Sequence, residues 1–129
     1  MPITAGNFKN LVGNGVYDGT IFHRANSYMI QGGNAVPKGI NVATIKDELP
    51  NRHSNVRGAV AMAKTSQPNS ATSQFFINLR DNSAMWDSNY SVFGEVIAGM
   101  DVVDAIGNLA KSDETLSQVV TIAKAEFIL

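Results

Sequence analysis

The 129-residue sequence contains no cysteine and only two histidines, His23 and His53. Without cysteine, disulfide frameworks, thiolate zinc sites, iron–sulfur clusters and thiol nucleophiles are excluded together, and the redox compartment is left open. The two imidazoles lie far apart with no carboxylate at ligand spacing, so each reads as a structural or surface histidine rather than a metal ligand. Hydrolytic or metal chemistry would have to rest on carboxylates, and any activity should need little proton transfer. An excess of one charge is missing too: ten Lys and Arg face eleven Asp and Glu, a net charge of −1. That balance argues against nucleic acid and anionic membranes as partners. No apolar run approaches the roughly 20 residues that a spanning helix needs, and Met1-Pro2 opens no basic-then-apolar leader, so a soluble cytoplasmic protein is expected. What is present is apolar enough for a core, at 44% hydrophobic and 16% charged residues. This fits a single domain over 1–129, with no linker or internal repeat.

Along the chain, Thr4 reads as the cap of a helix whose apolar positions Phe8, Leu11 and Val12 recur at helical spacing, stopped by Gly13 to Gly15. Two β-type runs follow, over 19–24 and 27–31, ended by Gly32-Gly33. Residues 34–55 read mostly as loop, with one strand candidate at 42–45. Strands are expected over 58–63, 73–79 and 91–96, a loop over 80–89, a helix over 100–109 and a last strand over 119–128. Two short helices amid many short strands indicate an antiparallel sandwich or barrel rather than alternating βαβ units.

Period-two alternation places Gln74, Phe76 and Asn78 on one face of their strand and the apolar Phe75, Ile77 and Leu79 on the other, which is the core side. An outward Phe beside Gln, with Phe22 and Arg24 paired on a neighbouring strand, marks a binding surface; the plain alternative is a half-buried strand with a solvated polar face. Gly13-Asn14-Gly15 with Gly19 lacks the Lys-Ser/Thr and the preceding strand of a phosphate loop and reads as a helix stop. Asn89-Tyr90-Ser91 is a glycosylation acceptor pattern that matters only in a secreted chain.

Taken together, Phe22-His23-Arg24, Tyr28-Met29-Ile30-Gln31-Gly32-Gly33, Gly58-Ala59-Val60-Ala61-Met62-Ala63 and Ser73-Gln74-Phe75-Phe76-Ile77-Asn78 closely resemble the cyclophilin family of peptidyl-prolyl isomerases. The resemblance continues through Val92-Phe93-Gly94-Glu95-Val96 and Gly99-Met100-Asp101-Val102-Val103-Asp104, and the Met-Ala-Lys-Thr-Ser form at 62–66 is similar to the bacterial type. It implies a mainly β fold, a cyclophilin-like antiparallel barrel of about eight strands capped by two helices, with a proline site on its outer face. It further implies isomerisation of X-Pro bonds in peptides and unfolded proteins, without cofactor or metal. Arg24 matches the catalytic arginine, acting with Gln31 and Phe76. Met29, Ala63 and Gln74 match the pocket walls, Tyr28 stands where Phe is usual, and Lys64 occupies a position that touches the substrate backbone.

Past that point the resemblance loosens. Counted back from Val92-Phe93 without a gap, the pocket Trp of many members falls on Met85, its Leu neighbour on Trp86 and the usual His on Tyr90; a one-residue gap would put Trp86 itself in the Trp position. The ungapped reading is favoured, and a Met there implies weak cyclosporin binding with isomerase activity retained. The loop after Gly32-Gly33 departs from the family's glycine-rich stretch, which leaves the preference for the residue before proline open. The start at Met1 matches the family segment after its first strand pair, so an N-terminally shortened barrel is expected. An uncovered edge would favour a homodimer over a rearranged smaller barrel. The rival to catalysis is a non-catalytic module that only binds proline peptides.

Overall fold

The computed structural model describes residues 1–128. Their elements run α1 (Pro2–Gly13), β1 (Phe22–Ala25), β2 (Met29–Gly32), a 3-10 turn (Val36–Lys38), β3 (Ala59–Met62), β4 (Phe75–Asn78), α2 (Ser83–Trp86), β5 (Val92–Glu95) and α3 (Met100–Gly107). The strands form one antiparallel sheet in the order β1-β2-β4-β3-β5. The sheet is antiparallel, as expected, but with five short strands it is open rather than closed into a barrel, and three helices replace the expected two.

The main core lies on one face of the sheet. Ile30, Met62, Phe75 and Ile77 pack there against Leu11 and Val12 of α1 and Val103 of α3. Phe8 and Phe75 meet Tyr17 at ring-centroid distances of 5.1 and 5.4 Å, the second edge to face. Such pairs add about 0.5–1.5 kcal/mol beyond simple burial. The buried Tyr17 hydroxyl donates to the Ser73 carbonyl at 2.7 Å; burial pushes its phenol well above the ordinary range.

Helix α1 begins at Pro2, ahead of the expected cap, because its first turn is capped from elsewhere. The Glu48 carboxylate accepts the Thr4 N–H, one of the donors a helix start leaves free. Thr4 itself is buried inside the helix. The strand candidate at 42–45 shrinks to one bridge between Ile45 and Ala71. The expected last strand does not form either: the chain touches β1's approach through the Ile21–Thr121 bridge and then leaves the sheet, Ala125 N–H donating to Asp18 Oδ1 at 2.9 Å. No described helix is long and apolar enough to cross a membrane.

Candidate active site

Sheet register assembles the site. Arg24 pairs with Gln31, Gln31 with Phe76 and Phe76 with Ala61, one row across four strands. Directly paired residues present their side chains on the same face, as do residues two apart on a strand. Met29, Ala59 and Ala63 therefore join that row on the face opposite the main core. The alternation reading separates the two faces of β4 correctly, but the second face is not solvated: Phe76 is 5% exposed and Asn78 fully buried. A small second cluster built on Met29, Ala59, Ala61, Ala63, Phe76 and Val92 covers it, with Tyr28, Trp86 and Tyr90 packed on top. Alanines at alternate positions of β3 leave a depression that larger strand residues would fill.

That depression opens as a cleft of about 370 Å³, its mouth included. Met29, Ala63, Phe76, Trp86 and Tyr90 line its apolar part; Arg24, Gln31 and Lys64 form its polar rim. The Phe76 ring meets Trp86 at 5.2 Å and Tyr90 at 5.5 Å, both edge to face. Its apolar, aromatic walls and polar rim have the character of a slot for a small saturated ring.

Helix α2 carries Trp86 and stands on buried amides. Asn82 Nδ2 donates to the Tyr28 carbonyl at 3.0 Å and to Asn78 Oδ1 at 2.9 Å. Asn78 Nδ2 donates in turn to Asn55 Oδ1 at 3.1 Å and to the Ala59 carbonyl at 3.0 Å. Asn51 Nδ2 holds the Asp87 and Tyr90 carbonyls at 2.8 Å each. The segment beyond α2 is thereby tied to the sheet despite having little regular structure.

On the rim, Arg24 Nε donates to Glu114 Oε1 at 2.7 Å and Nη1 donates to Gln31 Oε1 at 3.4 Å. Gln31 Nε2 donates onward to Gln74 Oε1 at 2.9 Å. Lys64 Nζ is paired with Asp47 at 2.8 Å and lies 5.9 Å from the centre of the Tyr90 ring. Hydrogen bonds from Asn26 and Arg24 hold the Glu114 carboxyl below its ordinary range. On β1, burial first and the Arg24 charge second hold the His23 imidazole below its ordinary value, outweighing nearby Gln74 and Ile21.

Three sequence candidates lie outside the cleft lining. Gln74 faces an adjoining polar hollow shared with Thr65, Ser70 and Thr72. Tyr28 backs Trp86 at 6.1 Å and carries the Arg80 guanidinium 3.8 Å from its ring centre. Met85 is 46% exposed on the surface of α2, so the wall position falls to Trp86, as in the gapped reading. Glu114, Asn26 and the asparagine ladder were not marked by the sequence, and Glu114 stands ninety positions from Arg24 with no local pattern to link them. Among the described residues, no group of three or more His, Asp or Glu stands together as a metal site.

A family model described as "Cyclophilin type peptidyl-prolyl cis-trans isomerase/CLD" matches residues 1–127. A peptidyl-prolyl cis-trans isomerase of Acinetobacter baylyi is 49% identical over 125 residues, an alignment covering 91% of this chain and 66% of that protein. Peptidyl-prolyl cis-trans isomerase B of Escherichia coli is 45% identical over 128 residues, covering 91% of this chain and 78% of the relative. The chain thus spans just under two thirds of the Acinetobacter protein's length. Among solved structures, a cyclophilin-type isomerase of Cryptosporidium parvum, crystallised in the presence of the dipeptide Ala-Pro, superposes with a TM-score of 0.80 at 27% identity, covering 92% of this chain and 80% of that one.

Proposed function

Because this chain belongs to the cyclophilin-type peptidyl-prolyl cis-trans isomerase family, we propose that it catalyses cis/trans exchange of X-Pro bonds in peptides and unfolded proteins. The observation that carries this reading is the row Arg24–Gln31–Phe76, which sets a guanidinium on the rim of an apolar, aromatic-walled cleft.

Amide resonance holds the X-Pro bond planar behind a barrier of about 18–20 kcal/mol. Twisting the bond removes that resonance and returns a lone pair to the proline nitrogen. A cation that donates to this nitrogen stabilises the twisted state more than the planar one, which is the condition for catalysis by differential binding. Arg24 fills that role. Phe76, Met29 and Trp86 hold the pyrrolidine ring, while Gln31 supports Nη1 of the guanidinium and Lys64 meets the substrate backbone. The expected weak cyclosporin binding rested on Met85 in the wall; with Trp86 there, that ground for weakness is gone.

The test is NMR exchange spectroscopy on an Ala-Pro peptide with the wild-type chain and Arg24→Ala. Turnover should fall by about a hundredfold or more in the variant while peptide affinity changes little, as befits loss of one preorganised donor. An equal rate in Arg24→Ala would remove that residue from the mechanism. Saturable peptide binding by the wild type without exchange broadening would instead favour the non-catalytic binding module.

A further inference from the structure

Arg24 has a long, flexible side chain on the outermost strand of the sheet, and 47% of it is exposed. A group that must meet a transient lone pair from such a place needs outside restraint, since small misplacement of a catalytic donor costs rate steeply. Gln31 supplies little of it, at 3.4 Å. The strong contact comes from the far end of the chain.

Glu114 sits on a tight turn after α3. The Lys111 carbonyl accepts the Glu114 N–H at 2.9 Å, Lys111 N–H donates to the Thr115 carbonyl at 2.8 Å, and Ala110 bridges Leu116. The Glu114 backbone is in the left-handed region, φ 69°, where Gly or Asn would be at ease and a Glu is strained. The residue is nonetheless tied to β1 and its turn on every side. Its carbonyl accepts the Ala25 N–H at 2.9 Å. One carboxylate oxygen takes Arg24 Nε and the other takes Asn26 Nδ2 at 3.0 Å. Asn26 is itself fixed, because its Oδ1 accepts the N–H groups of Tyr28 and Met29 at 2.8 and 3.1 Å.

We propose that Glu114 is the positioning residue for Arg24, gripping the guanidinium by Nε so that its Nη edge is presented to the twisted amide. The inference rests on the isomerase reading and deepens it. The grip is on the side of the guanidinium away from Gln31, and among the described residues Nη2 makes no protein hydrogen bond and stays free for substrate. A stabilising role explains the pair poorly, because both partners are substantially exposed and exposed ion pairs contribute little to folding. Neutralising the carboxylate should therefore loosen Arg24 without loosening the fold.

The experiment compares the wild type, Arg24→Ala, Glu114→Gln and Glu114→Asn in peptide exchange, peptide titration and thermal unfolding. Glu114→Gln keeps the shape, and Glu114→Asn suits the left-handed backbone, so neither should impair folding. Both should lower kcat/KM by about tenfold, mostly in kcat, with peptide affinity within about twofold of wild type. Melting temperature should stay close to wild type in Glu114→Gln and should not fall in Glu114→Asn, where the backbone strain is relieved, and the Arg24 Nε–H resonance should shift or broaden. Unchanged turnover in Glu114→Gln, with Arg24→Ala inactive, would overturn the positioning role and leave the isomerase reading standing. Loss of turnover that tracks a loss of melting temperature would also overturn it, by showing a structural role. A wild type without turnover, with peptide bound, would sink the isomerase reading and this inference with it.

Discussion

Trp86 and Met85 are neighbours on one turn of α2, and which of them faces the cleft is decided by about 100° of helical rotation. Spacing from Val92-Phe93 points to Met85; the structure turns Trp86 inward, edge-on to Phe76 at 5.2 Å and to Tyr90 at 5.9 Å, and leaves Met85 in solvent. The aromatic box forms only in that orientation. Trp86→Ala should therefore weaken binding of a proline peptide by about tenfold, roughly 1.4 kcal/mol of aromatic contact. Met85→Ala should leave the dissociation constant unchanged. Isothermal titration of both variants with one Ala-Pro peptide decides the matter, and a larger effect at Met85 would reverse the assignment.

At the level of elements, two glycines are set apart by what surrounds them. Gly6 lies in the middle of α1, and a Cβ there would meet nothing within 4 Å. Gly6→Ala should stabilise the chain by about 0.5–1 kcal/mol through helix propensity. Gly33, directly after β2, has φ +82°, and a Cβ would come within 2.8 Å of both the Phe75 and Tyr17 rings. Gly33→Ala should cost about 1–3 kcal/mol from backbone strain and crowding of the core. Urea unfolding of the two variants should move the midpoint in opposite directions. The same contrast explains what the sequence made legible. Phe76 could be found by period-two alternation, and Arg24 and Gln31 by a specific family pattern; alternation alone sets Phe22 beside Arg24, whereas the β-bulge between them turns Phe22 to the core, edge-on to Phe75 at 6.0 Å. The Glu48 cap of α1, the Asn55–Asn78–Asn82 ladder under α2 and the Glu114 grip join residues far apart through side-chain contacts. Such contacts leave no periodic trace. Residues 119–128 have the composition of a strand, yet strand formation needs a partner along their length, and their pairing is confined to 120–122, which meet residues 19–22 through the Ile21–Thr121 bridge and the backbone hydrogen bonds beside it.

For the molecule as a whole, these side-chain contacts set a two-stage response to acid. The His23 imidazole is held below 6.5 in the folded state, chiefly by burial and then by the Arg24 charge. The unfolded chain therefore takes up this proton first, so stability is complete above 6.5 and begins to fall as pH drops through that value, levelling off once the folded imidazole is protonated too. Carboxylates act further down in the same direction. Glu114, through Asn26 and Arg24, is held below 4.5, and Asp104, through its paired hydrogen bonds from Arg57, below 3.8. Their contribution is present above those values and is lost as pH falls through the depressed folded ones. Melting temperature should thus decline gently from about pH 6.5 and only slightly further below about pH 4.5, because both carboxylates are exposed and such pairs contribute little to folding. The second stage should shrink in high salt, because the carboxylates responsible are exposed and screened, whereas the first depends on burial and should persist. His23→Gln should abolish the upper stage alone. Thermal melts of the wild type and this variant between about pH 8 and pH 3 provide the check, and an upper stage surviving in His23→Gln would assign it to another group.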